Sequence, residues 1–154
     1  MSTVKRILVP IDFSEGAKAA AQYAITLAKQ FNATLDLLYI WEYPYYVGQD
    51  VMLQVPGQTA QSIIEYAKQQ AQSEMITFLS KLSKEGVTIK EHIKGGIVDR
   101  EIIEMVTKDH IDMIVMGTHG RSGISRLLLG SVAEKVLRNS PCPVVTISAH
   151  SEKK

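Results

Sequence analysis

Four short runs of the chain are apolar almost throughout: Arg6-Ile-Leu-Val-Pro-Ile11, Thr34-Leu-Asp-Leu-Leu-Tyr-Ile40, Asp112-Met-Ile-Val-Met116 and Val144-Val-Thr-Ile147. A strand with one wet face alternates apolar and polar residues, whereas near-continuous runs belong to parallel strands covered on both faces. The first two runs are joined by a helical pattern. Ser14 can cap its start, Ala20, Ala24, Leu27, Ala28 and Phe31 fall on one stripe, and the helix ends near Asn32. A β-α-β order with short connections implies a right-handed parallel crossover.

The later chain repeats the unit. A helical stretch from about Ser62 to Lys84 meets Gly86 as a stop, and Val87-Thr-Ile-Lys-Glu-His-Ile93 follows with the alternation of an edge strand. Gly95-Gly96 opens a helix with Ile102, Ile103 and Val106 on one face. The last helix starts near Gly130-Ser131, carries Val132, Val136 and Leu137, and stops before Pro141-Cys-Pro143. Only 41–59 breaks the pattern, a Pro- and Gly-punctuated segment rich in aromatics whose plain role is to cover a sheet edge or a subunit contact. Five strands alternating with four helices predict an α/β fold, a single doubly wound five-stranded parallel sheet with helices on both faces. Ligands of such sheets lie beyond the strand carboxyl ends, where strand order reverses.

At 154 residues one domain is expected, over 1–148, with a polar tail at 149–154. Seventeen Lys+Arg against sixteen Asp+Glu leave a formal charge of +1, too little field to draw in nucleic acid or an anionic membrane. The single Cys142 excludes an intrachain disulfide and reads as a packing residue, and no apolar run has the form of a signal peptide or a spanning helix. The expected location is the cytoplasm.

Of the strand ends, only the one at Met116 opens into a glycine-rich loop, Gly117-Thr-His-Gly120-Arg-Ser-Gly-Ile-Ser-Arg-Leu-Leu-Leu-Gly130-Ser131. Glycines let backbone N–H groups approach an anion closely, and a helix start offers free N–H groups and roughly +0.5 of a charge to phosphate oxygens. Taken alone, Gly117 and Gly120 could equally form a tight turn, and Asp12 could simply cap the first helix. Arg121 can pair with phosphate, Arg126 reads as solvated, and His119 reads as a polar loop residue rather than a catalyst. The Gly-x4-Gly-Lys-(Ser/Thr) P-loop is absent, so fast hydrolysis of that type is not supported.

The loop fills every position of the Gly-x2-Gly-x9-Gly-(Ser/Thr) motif of universal stress proteins at Gly117, Gly120, Gly130 and Ser131, and the chain resembles that family along its whole length. Val9-Pro-Ile-Asp12-Phe-Ser14, Asp112 to Gly117, Gly130-Ser-Val-Ala-Glu134 and Pro141-Cys-Pro-Val-Val145 carry the rest of the likeness. The resemblance implies an adenine nucleotide alpha hydrolase-like sheet of strand order 3-2-1-4-5 that binds ATP, with magnesium held through the nucleotide. It sets the adenine against the backbone of Ile40 beside Pro10 and Ile11, and turns Asp12 toward the ribose or the metal. The ribose and phosphates would rest on Met116, Gly117, Gly120, Arg121, Gly130, Ser131 and Val132, with Trp41 and Tyr43 both open as lids over the base.

The resemblance also implies a homodimer through the last strand, where Val144–Ile147 would otherwise leave an apolar edge open to pairing. The leading functional expectation is an ATP-binding stress-response or signalling module that reports nucleotide state to a protein partner. A slow ATPase or self-phosphorylating enzyme using Ser122 or Ser125 stands as the alternative, as does a dimeric scaffold that needs no nucleotide.

Overall fold

A computed structural model of the chain describes residues 3–42, 51–54, 56–119 and 129–149. Its elements run β1 (Arg6–Ile11), α1 (Glu15–Phe31), β2 (Thr34–Trp41), β3 (Met52–Leu53), β4 (Gln61–Ser62), α2 (Ile63–Ser80), β5 (Ile89–Gly95), α3 (Val98–Lys108), β6 (Met113–Gly117), α4 (Ser131–Asn139) and β7 (Val144–Ile147). Five strands form one sheet in the order β5-β2-β1-β6-β7, every neighbouring pair parallel. Counting only those five along the chain, this is the expected order 3-2-1-4-5. The alternating strand β5 does take an edge, and β7 takes the other. Residues 43–50 of the aromatic segment lie outside the described residues. Within the segment β3 pairs antiparallel with β4, which follows the segment, and both strands are too short to leave a periodicity in the sequence.

The sheet sorts its side chains by parity. Ile7, Val9, Leu35 and Leu37 face the core under α1 and α2, whereas Leu8, Leu38, Ile40 and Ile114 face the core under α3 and α4. Helix α1 buries Ala17, Ala20, Ala21, Ala24, Ile25 and Ala28, a small-residue face that lets the helix lie close to the strands. Ser14 caps it, accepting from the Ala17 N–H at 3.1 Å, and Asn32 ends it in the left-handed conformation at φ 55. Phe31, expected on the buried stripe, is exposed because the stripe has already closed at Ala28. On α4 the buried line runs through Ala133 and Val136, and Leu137, one position or about 100° further round, also turns to solvent. Helix α2 stops at Ser80, before the expected Lys84. Among the described residues no helix is long and apolar enough to cross a membrane.

Toward the amino ends of the strands sits the one fully buried charge among the described residues, Asp36 on β2. Arg6 of β1 grips it with Nε at 3.1 Å and Nη2 at 2.8 Å, and His92 of β5 places Nε2 2.8 Å from Oδ1. Arg6 also donates to the Asp109 carbonyl at 2.6 Å. Burial pushes the Asp36 carboxyl up, but the hydrogen bonds and charges of His92 and Arg6 outweigh it and leave the group below its ordinary value. The same bond raises Arg6 against its own desolvation.

Candidate functional site

The order of the sheet reverses between β1 and β6, and there the two strands part. Their ladder joins Ile7 to Met113 and Leu8 to Ile114, while the β1–β2 ladder continues to Ile11 and Tyr39. Pro10 has no amide hydrogen with which to extend the pairing. Beyond that point the strand ends and the starts of α1, α3 and α4 enclose a cavity of about 420 Å³, within the roughly 300–1,000 Å³ of small-molecule sites.

The cavity brings together every sequence-expected site residue that lies among the described ones: Pro10, Ile11, Asp12, Ile40, Met116, Gly117, Gly130, Ser131 and Val132. Gly120 and Arg121 fall outside the described residues, as do Ser122, Ser125 and Tyr43. Its character changes across the sheet. At β2 the lining is apolar at Ile40, beside Pro10 and Val98, with Glu42 at the rim; at β1 stands the carboxylate of Asp12; past β6 come Gly117, Thr118, Gly130 and Ser131. Neighbouring strands are about 4.8 Å apart, so the apolar and glycine-lined ends lie about 10 Å from one another with Asp12 between them.

The turn that carries Asp12 is held under strain. Phe13 has φ 64, a conformation that costs a bulky residue on the order of 1–3 kcal/mol. Its ring is pinned by Tyr39 at 4.5 Å and Phe78 at 5.8 Å, which offsets the strain with packing. The kink lets Asp12 Oδ1 accept both the Ser14 N–H, at 3.0 Å, and the Ser14 hydroxyl. Asp12 therefore organises the start of α1 and lines the cavity at once, so the two readings of this residue are compatible.

At the other end the glycines meet backbone. A Cβ on Gly130 would stand 2.8 Å from the Thr118 carbonyl oxygen, which accepts the Gly130 N–H at 2.7 Å. A Cβ on Gly117 would stand 3.1 Å from the Gly16 backbone. Gly130 has an ordinary φ of −62, so close approach and not conformational freedom excludes a side chain there. Helix α4 begins with no side-chain cap, which leaves the first N–H groups at Ser131, Val132 and Ala133 for a ligand or water. Thr118 Oγ1 and His119 Nδ1 lie 2.9 Å apart beside this helix start. Among the described residues, no three His, Cys, Asp or Glu side chains gather as metal ligands.

Sequence reasoning missed several walls of the cavity, among them Ser14, Ala17, Glu42, Val98 and Leu129. Strand alternation could have flagged Glu42, which shares the parity of Ile40. Trp41, one of the two lids left open, is not part of the cavity: it has the opposite parity, and its ring packs so closely on Gly95 that a Cβ there would meet it at 2.6 Å.

The Universal stress protein family model matches residues 3–148. Universal stress protein MJ0531 of Methanocaldococcus jannaschii is 35% identical over 144 residues, covering 93% of this chain and 81% of that protein. The solved structure of MJ0577 from the same organism superposes with a TM-score of 0.75 over 98% of this chain and 100% of the other at 24% identity, a likeness of fold. A universal stress protein from Archaeoglobus fulgidus, solved in complex with dAMP, superposes at 0.61 over 95% and 99% of the chains with 18% identity. A cavity at the switch point, a family match over nearly the whole chain and a relative more than a third identical agree: the chain belongs to the universal stress protein family.

Proposed function

We propose that the switch-point cavity binds ATP and that the protein works as a nucleotide-binding stress-response or signalling module in the cytoplasm, as a homodimer joined through β7. The observation that carries this reading is the graded lining of the cavity. Its apolar end suits a purine, its central carboxylate suits ribose hydroxyls, and its uncapped helix start suits phosphates, in the order of the parts of one nucleoside triphosphate. The A. fulgidus relative in complex with dAMP supports an adenine ligand.

In this reading the base lies against Ile40, Pro10 and Ile11, and Asp12 accepts from the ribose. Met116, Gly117, Gly130, Ser131 and Val132 carry the ribose and phosphates, and Gly120 and Arg121 join them on the strength of the motif. A magnesium ion would arrive with the phosphates, and Asp12 is the carboxylate of this group that would face it in place of the ribose. Bound magnesium neutralises phosphate charge; the chain's own part is to orient the nucleotide and exclude water from its base.

The test is extraction. Protein purified without added nucleotide is denatured and the released small molecules identified by chromatography and mass spectrometry, with Ser131→Ala alongside. ATP recovered near one per site from the wild type and depleted in the variant is the expected result. An empty protein that also fails to bind added ATP would sink the proposal and favour the nucleotide-independent scaffold. Recovered ADP or AMP would move the weight to the enzyme.

A further inference from the structure

We infer that Glu42 reads the base of the bound nucleotide, its carboxylate accepting a hydrogen bond from the exocyclic amine of adenine and so discriminating against purines with a carbonyl at that position. The inference rests on the nucleotide reading above and extends it to a residue that neither the glycine motif nor the strand-end pattern singles out.

Side chains alternate along a strand, so Glu42 returns to the face of Ile40 while Trp41, between them, packs away from the cavity on Gly95. At about 3.3 Å per residue, Glu42 stands roughly 7 Å beyond Ile40 along the strand direction, at the rim of the apolar end. Asp12 and Glu42 are the two carboxylates in the described lining, and each directly follows the end of a different strand, β1 and β2. Asp12, at β1, faces the middle of a ligand laid from β2 to β6. Glu42, at β2, lies on the far side of Asp12 from the glycines and the α4 start.

A carboxylate at that rim is two strand spacings from the phosphate end, where its charge would otherwise repel. The part of a nucleotide it can meet is the base edge. An ionised carboxylate only accepts, so it favours the 6-amino group of adenine and opposes the lone pairs of a 6-carbonyl. Glu42 is exposed and takes no part in either core, so replacing it leaves the fold intact.

The experiment measures the affinities of ATP, ITP and 2′-deoxy-ATP by calorimetry for the wild type, Glu42→Gln and Glu42→Ala, with the melting midpoint of each protein as a folding check. Gln keeps the size but adds an NH₂ that donates to a carbonyl. The expected result is that the preference for ATP over ITP shrinks about tenfold in Glu42→Gln and somewhat less in Glu42→Ala, the size of one charge-assisted hydrogen bond. The ratio of ATP to 2′-deoxy-ATP should stay constant. An unchanged ATP-to-ITP ratio in both variants, with the wild type still binding ATP, would overturn this inference alone. A shift confined to the 2′-deoxy ratio would overturn it too, because Glu42 would then be reading the ribose. A wild type that binds none of the three removes the proposed function together with the inference.

Discussion

The glycine that looks most like a phosphate ligand is also a packing residue, and the two roles can be separated. At Gly130 a single added carbon meets the Thr118 carbonyl at 2.8 Å, a backbone atom that cannot swing aside. Gly130→Ala should therefore lose about 1–3 kcal/mol of stability with no nucleotide present, seen as a lower urea midpoint at unchanged slope. Ser131→Ala removes only an exposed hydroxyl at the first turn of α4 and should unfold within about 0.5 kcal/mol of the wild type while holding ATP several-fold more weakly. Equal stability of Gly130→Ala and the wild type would mean the close approach has no energetic weight. The sequence motif could not make this distinction, because it records that glycine stands at 130 and not what stands opposite. Asp12 teaches the same lesson, since its spacing to Ser14 permits a helix-start role and its strand-end position a place in the cavity wall, and the turn at Phe13 lets it accept from Ser14 while it lines the cavity.

At the scale of elements, what was legible followed from periodicity and what was not followed from register. Continuous apolar runs announced β1, β2, β6 and β7, and alternation announced the edge position of β5. The partnership of Arg6, Asp36 and His92 was invisible, because positions 30 and 56 residues apart meet only when β1, β2 and β5 pair. An apolar run containing one Asp gives no hint that the Asp is wholly buried. Its carboxyl is held below its ordinary value, so the folded state binds its proton less readily than the unfolded chain. By linkage its contribution is complete above the unfolded value of about 3.9 and is lost as pH falls through the lower folded value. Melting midpoints of the wild type should thus show an acid-side decline from this group that Asp36→Asn lacks. At pH 7 the variant should be less stable by about 2–3 kcal/mol. That is below the cost for a fully buried pair because the Arg6 and His92 side chains are 28% and 27% exposed. Wild-type and variant curves that stay parallel down to pH 3 would deny Asp36 this role.

For the whole molecule, the cavity and the edge of the sheet are not independent. The residue after Gly117, Thr118, donates its N–H to Ile147 of β7 at 3.1 Å and accepts the Gly130 N–H on its own carbonyl. One peptide segment thus ties the start of α4 to the end of the edge strand. A nucleotide that ordered the α4 start would act on β7 through this segment, and a second copy pairing along β7 would hold the segment from the other side. If ATP binds at α4 and dimers form at β7, the two equilibria share a coupling free energy, and linkage requires that it act equally in both directions. The sequence shows both glycine loop and apolar edge but not this bond, which joins positions 29 residues apart. Sedimentation velocity across a dilution series should therefore give a dimer dissociation constant that falls with saturating ATP by about 5-fold or more, the lower end of ordinary allosteric couplings. Calorimetry below and above that constant should show ATP affinity rising by the same factor. A monomer at micromolar concentration with or without ATP would contradict assembly through β7. A dimer whose dissociation constant ignores ATP would mean that the Thr118 segment is equally ordered in both states and carries no signal from the cavity to the edge.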